Sequence, residues 1–101
     1  MIVVIATIEC RPGTRERFLN EFRKIVPEVL LESGCLEYGP TVDAQTDLTN
    51  QNRNSDRVTI VEKWESVEAL KAHLTAPHME TYRPKVKDFV ASSELRVLEA
   101  A

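Results

Sequence analysis

Glycine is scarce in this 101-residue chain, with 3 isolated copies. There is accordingly no Gly-rich loop to cradle phosphate and no G-x-S-x-G elbow, which argues against a nucleotide or flavin site. The 5 prolines and 3 glycines are too few for a collagen-like or linker sequence. No basic cluster interrupts a balance of 13 basic and 16 acidic side chains, a formal charge of −3. Nucleic acid, which demands phosphate neutralisation, is therefore not an expected partner. The longest wholly apolar run, Met1 to Ala6, is far too short to cross a bilayer and has no basic segment before it. The chain reads as soluble and unprocessed. Cys10 and Cys35 are its only cysteines; outside a small secreted scaffold they are expected to stay reduced, in the cytoplasm, as small buried hydrophobes.

What is present is enough for one domain spanning residues 1–101. A chain of this length buries only about 65% of the surface it exposes when unfolded, so its core is thin. Ile2 to Ile8 is β-branched almost throughout and predicts a strand apolar on both faces. Arg11-Pro12-Gly13-Thr14 predicts a turn with Thr14 as N-cap. Phe18, Leu19, Phe22, Ile25, Val26, Val29 and Leu30 then fall at helical spacing. Pro27 should bend that helix, and Ser33-Gly34 should end it. Cys35 to Asp43 predicts a second strand, with Leu36, Tyr38, Pro40 and Val42 on one face and Pro40 marking a sheet edge or a bulge. Residues 44–56 are polar and Asn-rich, a long mobile connection.

Arg57 to Glu65 predicts the third strand, with Val58, Ile60, Glu62 and Trp64 on one face. Ser66 should cap a short helix through Val67, Leu70 and Leu74. Ala76-Pro77 should start another, with Met79, Tyr82, Val86, Phe89 and Val90 as its stripe and Pro84 breaking or bending it. Glu94 to Glu99 closes the chain as a fourth strand. The order β-α-β, loop, β-α-α-β predicts a ferredoxin-like α+β sandwich: a four-stranded antiparallel sheet with helices on one face. The first strand's second apolar face then lies bare, and a second copy packed on it, giving a homodimeric α+β barrel, is the economical cover.

Candidate chemistry is sparse. His73 and His78 are the only histidines, either of which suits proton removal near neutrality. Their spacing of five turns them about 140° apart on an ideal helix, and no carboxylate falls in register, so no metal site is expected. Glu62 on an apolar face needs a partner or a raised pKa, and so suits acid–base work. Trp64 offers one indole N–H. Tyr38, Met79, Tyr82 and Phe89 suit the walls of an aromatic-binding pocket and equally suit a core.

The block Glu62-Lys63-Trp64-Glu65-Ser66, Ala72-His73-Leu74 and Pro77-His78-Met79, with Ile25-Val26-Pro27 and Gly34-Cys35 before it, resembles the quinol monooxygenases of the antibiotic biosynthesis monooxygenase superfamily. The resemblance implies a dimeric α+β barrel that oxidises electron-rich phenols or quinols with O₂ and no flavin, haem or metal. It implies Trp64, His73 and His78 as catalytic positions, and Glu62, Tyr38, Met79, Tyr82 and Phe89 then line the quinol site. The aromatic polyketide monooxygenases of the superfamily carry Asn four residues before the Trp, where this chain has Ile60. The haem-degrading members carry Asn on the first strand, where the nearest position here is Thr7. Both departures argue against those specialisations. An acid–base isomerase on the same scaffold and a non-catalytic dimeric module binding a hydrophobic ligand remain as alternative readings.

Overall fold

Eight segments of regular structure alternate along residues 1–101, all described by a computed structural model. Strand β1 (Ile2–Cys10) leads to helix α1 (Arg15–Leu30), β2 (Cys35–Thr41) and β3 (Arg57–Trp64). Helices α2 (Val67–Leu74) and α3 (Pro77–Val86) follow, then a 3₁₀ turn (Lys87–Phe89) and β4 (Val90–Leu98). The strands lie in the order β2-β3-β1-β4, and every pairing is antiparallel. This is the expected ferredoxin-like α+β architecture.

Cross-strand pairing sets the inner face. Ile2 lies opposite Trp64, Val4 opposite Glu62, Ala6 opposite Ile60 and Ile8 opposite Val58. Directly paired residues project to the same side of a sheet, so the period-two pattern read in β1 and β3 converges on one surface. Phe18, Leu19, Phe22, Ile25 and Val29 of α1 pack there, with Leu70 of α2 and Met79, Tyr82 and Val86 of α3. The alternate residues Val3, Ile5 and Val61 remain only half-buried on the outer face, with no helix over them.

Several local expectations need correction. Thr14 occupies the N-cap position of α1, but its hydroxyl donates to the carbonyls of Arg11 and Phe89 and caps no N–H. Leu36 does not share a face with Tyr38: a register shift between Cys35 and Glu37 turns it outward, 51% exposed. Val42 is exposed beyond the strand's end. Strand β4 begins at Val90 rather than Glu94, because Val90 pairs with Cys10 and the Phe89 carbonyl accepts from Arg11 N–H. Phe89 therefore belongs to the 3₁₀ turn and Val90 to β4, and neither lies in α3. Helix α1 ends at Leu30, before Ser33-Gly34, and α3 runs on through Pro84 to Val86 without a break. Three expectations stand: Ser66 Oγ accepts from Ala69 N–H, Pro77 opens α3, and Pro40 lies on an edge strand.

Residues 42–56 contain no helix or strand but are tied at both ends. Arg57 bridges Glu9 and Asp43, and Asp43 also accepts from Asn54 N–H. Gly34 matters more for the site. Its φ of +84° is a conformation that L side chains rarely adopt, and a Cβ there would stand 2.7 Å from the Ala69 side chain. The turn after α1 can thus sit directly on α2.

Candidate active site

A cavity of about 240 Å³ lies between the inner face of the sheet and the helices, bordered by Ser93, Glu94 and Leu95 of β4. Its walls are mostly apolar, with Phe22, Ile60, Met79 and Leu95 among them, and Arg83, Ser93 and Glu94 also contribute. Glu62 and His73 line the same space, as do Tyr38 and Tyr82. A groove of about 320 Å³ between α1 and α3 is larger but lined mostly by polar and charged residues, Glu21, Lys24, Glu28 and Lys85 among them. The smaller cavity holds the acid–base groups in an apolar setting, which makes it the candidate site.

Glu62 is 4% exposed and accepts a 2.9 Å hydrogen bond from the indole N–H of Trp64. Burial raises its pKa to about 7, the indole donor opposes that rise, and the negative charge of Glu32 adds to it. Trp64 itself is fully buried and absent from the cavity wall. Its single donor is spent on Glu62, so it holds the carboxyl in place rather than meeting a ligand.

His73 is 2% exposed, in edge contact with Tyr38 and 4.8 Å from the Trp64 ring centroid. Burial lowers its pKa, and hydrogen bonding to Glu32 opposes the fall. Its Nδ1 lies 2.9 Å from Glu32 Oε2. His78 does not reach the cavity: it lines the outer groove, and its Nε2 lies 2.7 Å from the same Glu32 oxygen. The break at Ala76-Pro77 has brought the two rings together despite their spacing of five, around a carboxylate from outside their helices. Tyr38, buried beside Glu62, has its phenol pKa raised well above the ordinary range by burial, and so stays a neutral hydrogen-bonding group.

Of the expected pocket residues, Tyr38, Glu62, His73, Met79 and Tyr82 share the cavity, whereas Phe89 lies in the 3₁₀ turn, packs against the core and lines no pocket. Sequence reading missed Glu32, Arg83 and Leu95. Glu32, His73 and His78 each bring one donor atom within 4.8 Å of the others, and are the residues whose types suit a divalent ion. As arranged, both ring nitrogens approach one oxygen at hydrogen-bonding distance.

Residues 1–85 match the sequence profile of the family described as antibiotic biosynthesis monooxygenase. The chain belongs to that family. Among antibiotic biosynthesis monooxygenases it is 43% identical, over 98% of its length and 97% of the relative's, to the protein of Escherichia coli K12 named "Probable quinol monooxygenase YgiN". In fold it is similar to PA3566 of Pseudomonas aeruginosa (TM-score 0.82, 24% identity, 99% and 93% of the two chains covered). It is also similar to Rv0793 of Mycobacterium tuberculosis (TM-score 0.81, 23% identity, 99% and 94% covered). At those identities the two structures speak to the fold alone. Family membership and the quinol monooxygenase relative support a monooxygenase. No helix is long and apolar enough to cross a membrane.

Proposed function

We propose that this protein oxidises or oxygenates a quinol, or a related electron-rich phenol, with O₂ and without flavin, haem or metal. The observation that carries the reading is that a buried histidine and a buried carboxyl with a pKa near neutrality line one apolar cavity. The relative named as a quinol monooxygenase supports the substrate class.

The substrate supplies both electrons, so the protein has only to bind it, move protons and exclude water. His73 Nε2 takes the proton of one hydroxyl as general base. The quinolate, far easier to oxidise than the quinol, passes two electrons to O₂. Oxidation to quinone with release of H₂O₂ balances when the peroxide takes the proton held on His73 and the proton of the second hydroxyl. Glu62 is suited to pass that second proton, because a carboxyl titrating near pH 7 accepts and returns it at small cost. In the oxygenase variant the reduced oxygen bonds a ring carbon and its O–O bond breaks: one oxygen stays as the hydroxyl of a hydroxyquinone, with the displaced ring hydrogen as its proton, and the other leaves as water with the two quinol protons, the substrate giving four electrons in all. Apolar walls keep the reduced oxygen species from solvent.

A second copy packed on the outer face of β1 and β3 completes the proposal, covering Val3, Ile5 and Val61. The His73–Glu62 pair equally suits an isomerase, which needs no O₂. Turnover under isotopically labelled O₂ separates these readings. Label in the quinone identifies a monooxygenase and label in H₂O₂ alone an oxidase. Substrate conversion that continues undiminished without O₂ overturns both and leaves the isomerase.

A further inference from the structure

Imidazole has two nitrogens, and when neutral only one of them can act as a base. Which one is bare depends on the hydrogen bond that the other makes. In His73 that choice is constrained from outside the cavity. Nδ1 lies 2.9 Å from Glu32 Oε2, while Nε2 has no protein partner. Glu32 lies in the turn after α1 and lines neither the cavity nor the outer groove. A carboxylate offers only acceptors, so Nδ1 carries the hydrogen. His78 Nε2, 2.7 Å from the same oxygen, must donate as well. Two N–H groups from two helices thus converge on one oxygen.

We propose that Glu32 is a positioning residue for His73: it holds the hydrogen on Nδ1 and leaves Nε2 bare at the cavity. The turn that carries Glu32 is fixed in turn. Glu32 N–H donates to the Val29 carbonyl, its own carbonyl accepts from Cys35 N–H, and Gly34 abuts Ala69 one turn before His73 on α2. Once Nε2 has taken a substrate proton, the imidazolium lies against the Glu32 carboxylate, which holds the charge until the proton passes to reduced oxygen. His78 acts on the carboxylate and not on the substrate.

This inference rests on His73 being the cavity base, and it has a readout that needs no substrate. In ligand-free protein, long-range ¹H–¹⁵N correlation of the His73 ring is expected to show hydrogen on Nδ1 and a bare Nε2. In Glu32→Leu, which has no acceptor, both tautomers should appear. With quinol and O₂, kcat of that variant should fall about 100-fold while KM stays within about twofold, because Glu32 does not line the cavity. Glu32→Gln, which keeps an acceptor oxygen, should restore the tautomer and part of kcat. A hydrogen on Nε2 in the unmodified protein overturns the proposal, as does an unchanged kcat in a folded Glu32→Leu protein. A bare Nε2 in a protein that turns over no quinol upholds the positioning role and removes the quinol reading instead.

Discussion

Trp64 and Glu62, two residues apart on one face of β3, are joined by a 2.9 Å hydrogen bond from indole to carboxyl with both side chains buried. A single neutral donor does not compensate a buried carboxylate for its lost hydration. The carboxyl therefore stays protonated to about pH 7, and holding it at the cavity costs the fold stability above the pH at which a free carboxyl ionises.

That cost is measurable. Unfolded, Glu62 ionises near 4.5; folded, near 7. Between those values the folded state retains a proton that the unfolded state has lost, so stability falls as pH rises through the window. Glu62→Gln keeps an acceptor for the indole and removes the titration. In denaturant unfolding it should equal the parent at pH 4 and exceed it by about 3 kcal/mol at pH 8, while losing most of its turnover.

The two histidines should differ in weight. His73→Ala removes the only imidazole at the cavity, and kcat should fall about 10²–10⁴-fold. His78 touches the cavity only through Glu32, so His78→Ala should cost about tenfold or less. Steady-state rates of the two variants decide the order, and a larger loss at His78 would transfer the base to that residue.

Gly34→Ala tests the seat of the Glu32 turn. It strains a residue at φ +84° and drives a methyl to 2.7 Å from Ala69. Thermal or denaturant unfolding should show a loss of about 2 kcal/mol or more. Turnover should fall in whatever protein remains folded, because Glu32 shifts away from His73.

Much of the fold was legible because β-branched runs and helical spacing are local signals. The face shared by Val58, Ile60, Glu62 and Trp64 follows from strand periodicity alone, and Glu62 stands out there as the one carboxyl among apolar neighbours. The departures arise from tertiary pairing. Leu36 alternates correctly with Tyr38 in sequence, yet one extra residue in the ladder turns it to solvent. Val90 continues a helical stripe until its pairing with Cys10 draws it into the sheet. Glu32 had no signal at all: it follows a helix whose apolar stripe has ended, 41 positions from the histidine it bonds. Only the turn at Gly34 joins them.

The outer face of the sheet predicts assembly. Val3, Ile5 and Val61 form a half-exposed apolar strip that nothing in the chain covers. Sedimentation should show a homodimer at micromolar concentration, and Ile5→Lys should shift it to monomer by placing charge in the contact. A parent chain that sediments as a monomer contradicts the second copy.

The central claim is that His73 and Glu62 in one cavity suffice for O₂ chemistry on a quinol. Oxygen uptake with a reduced naphthoquinol tests it most directly, on protein verified free of flavin and metal and assayed with and without chelator. The account predicts catalysed uptake above the buffer rate, undiminished by chelator and abolished in His73→Ala. Uptake at the buffer rate with every quinol tried, or uptake that chelator removes, would contradict it.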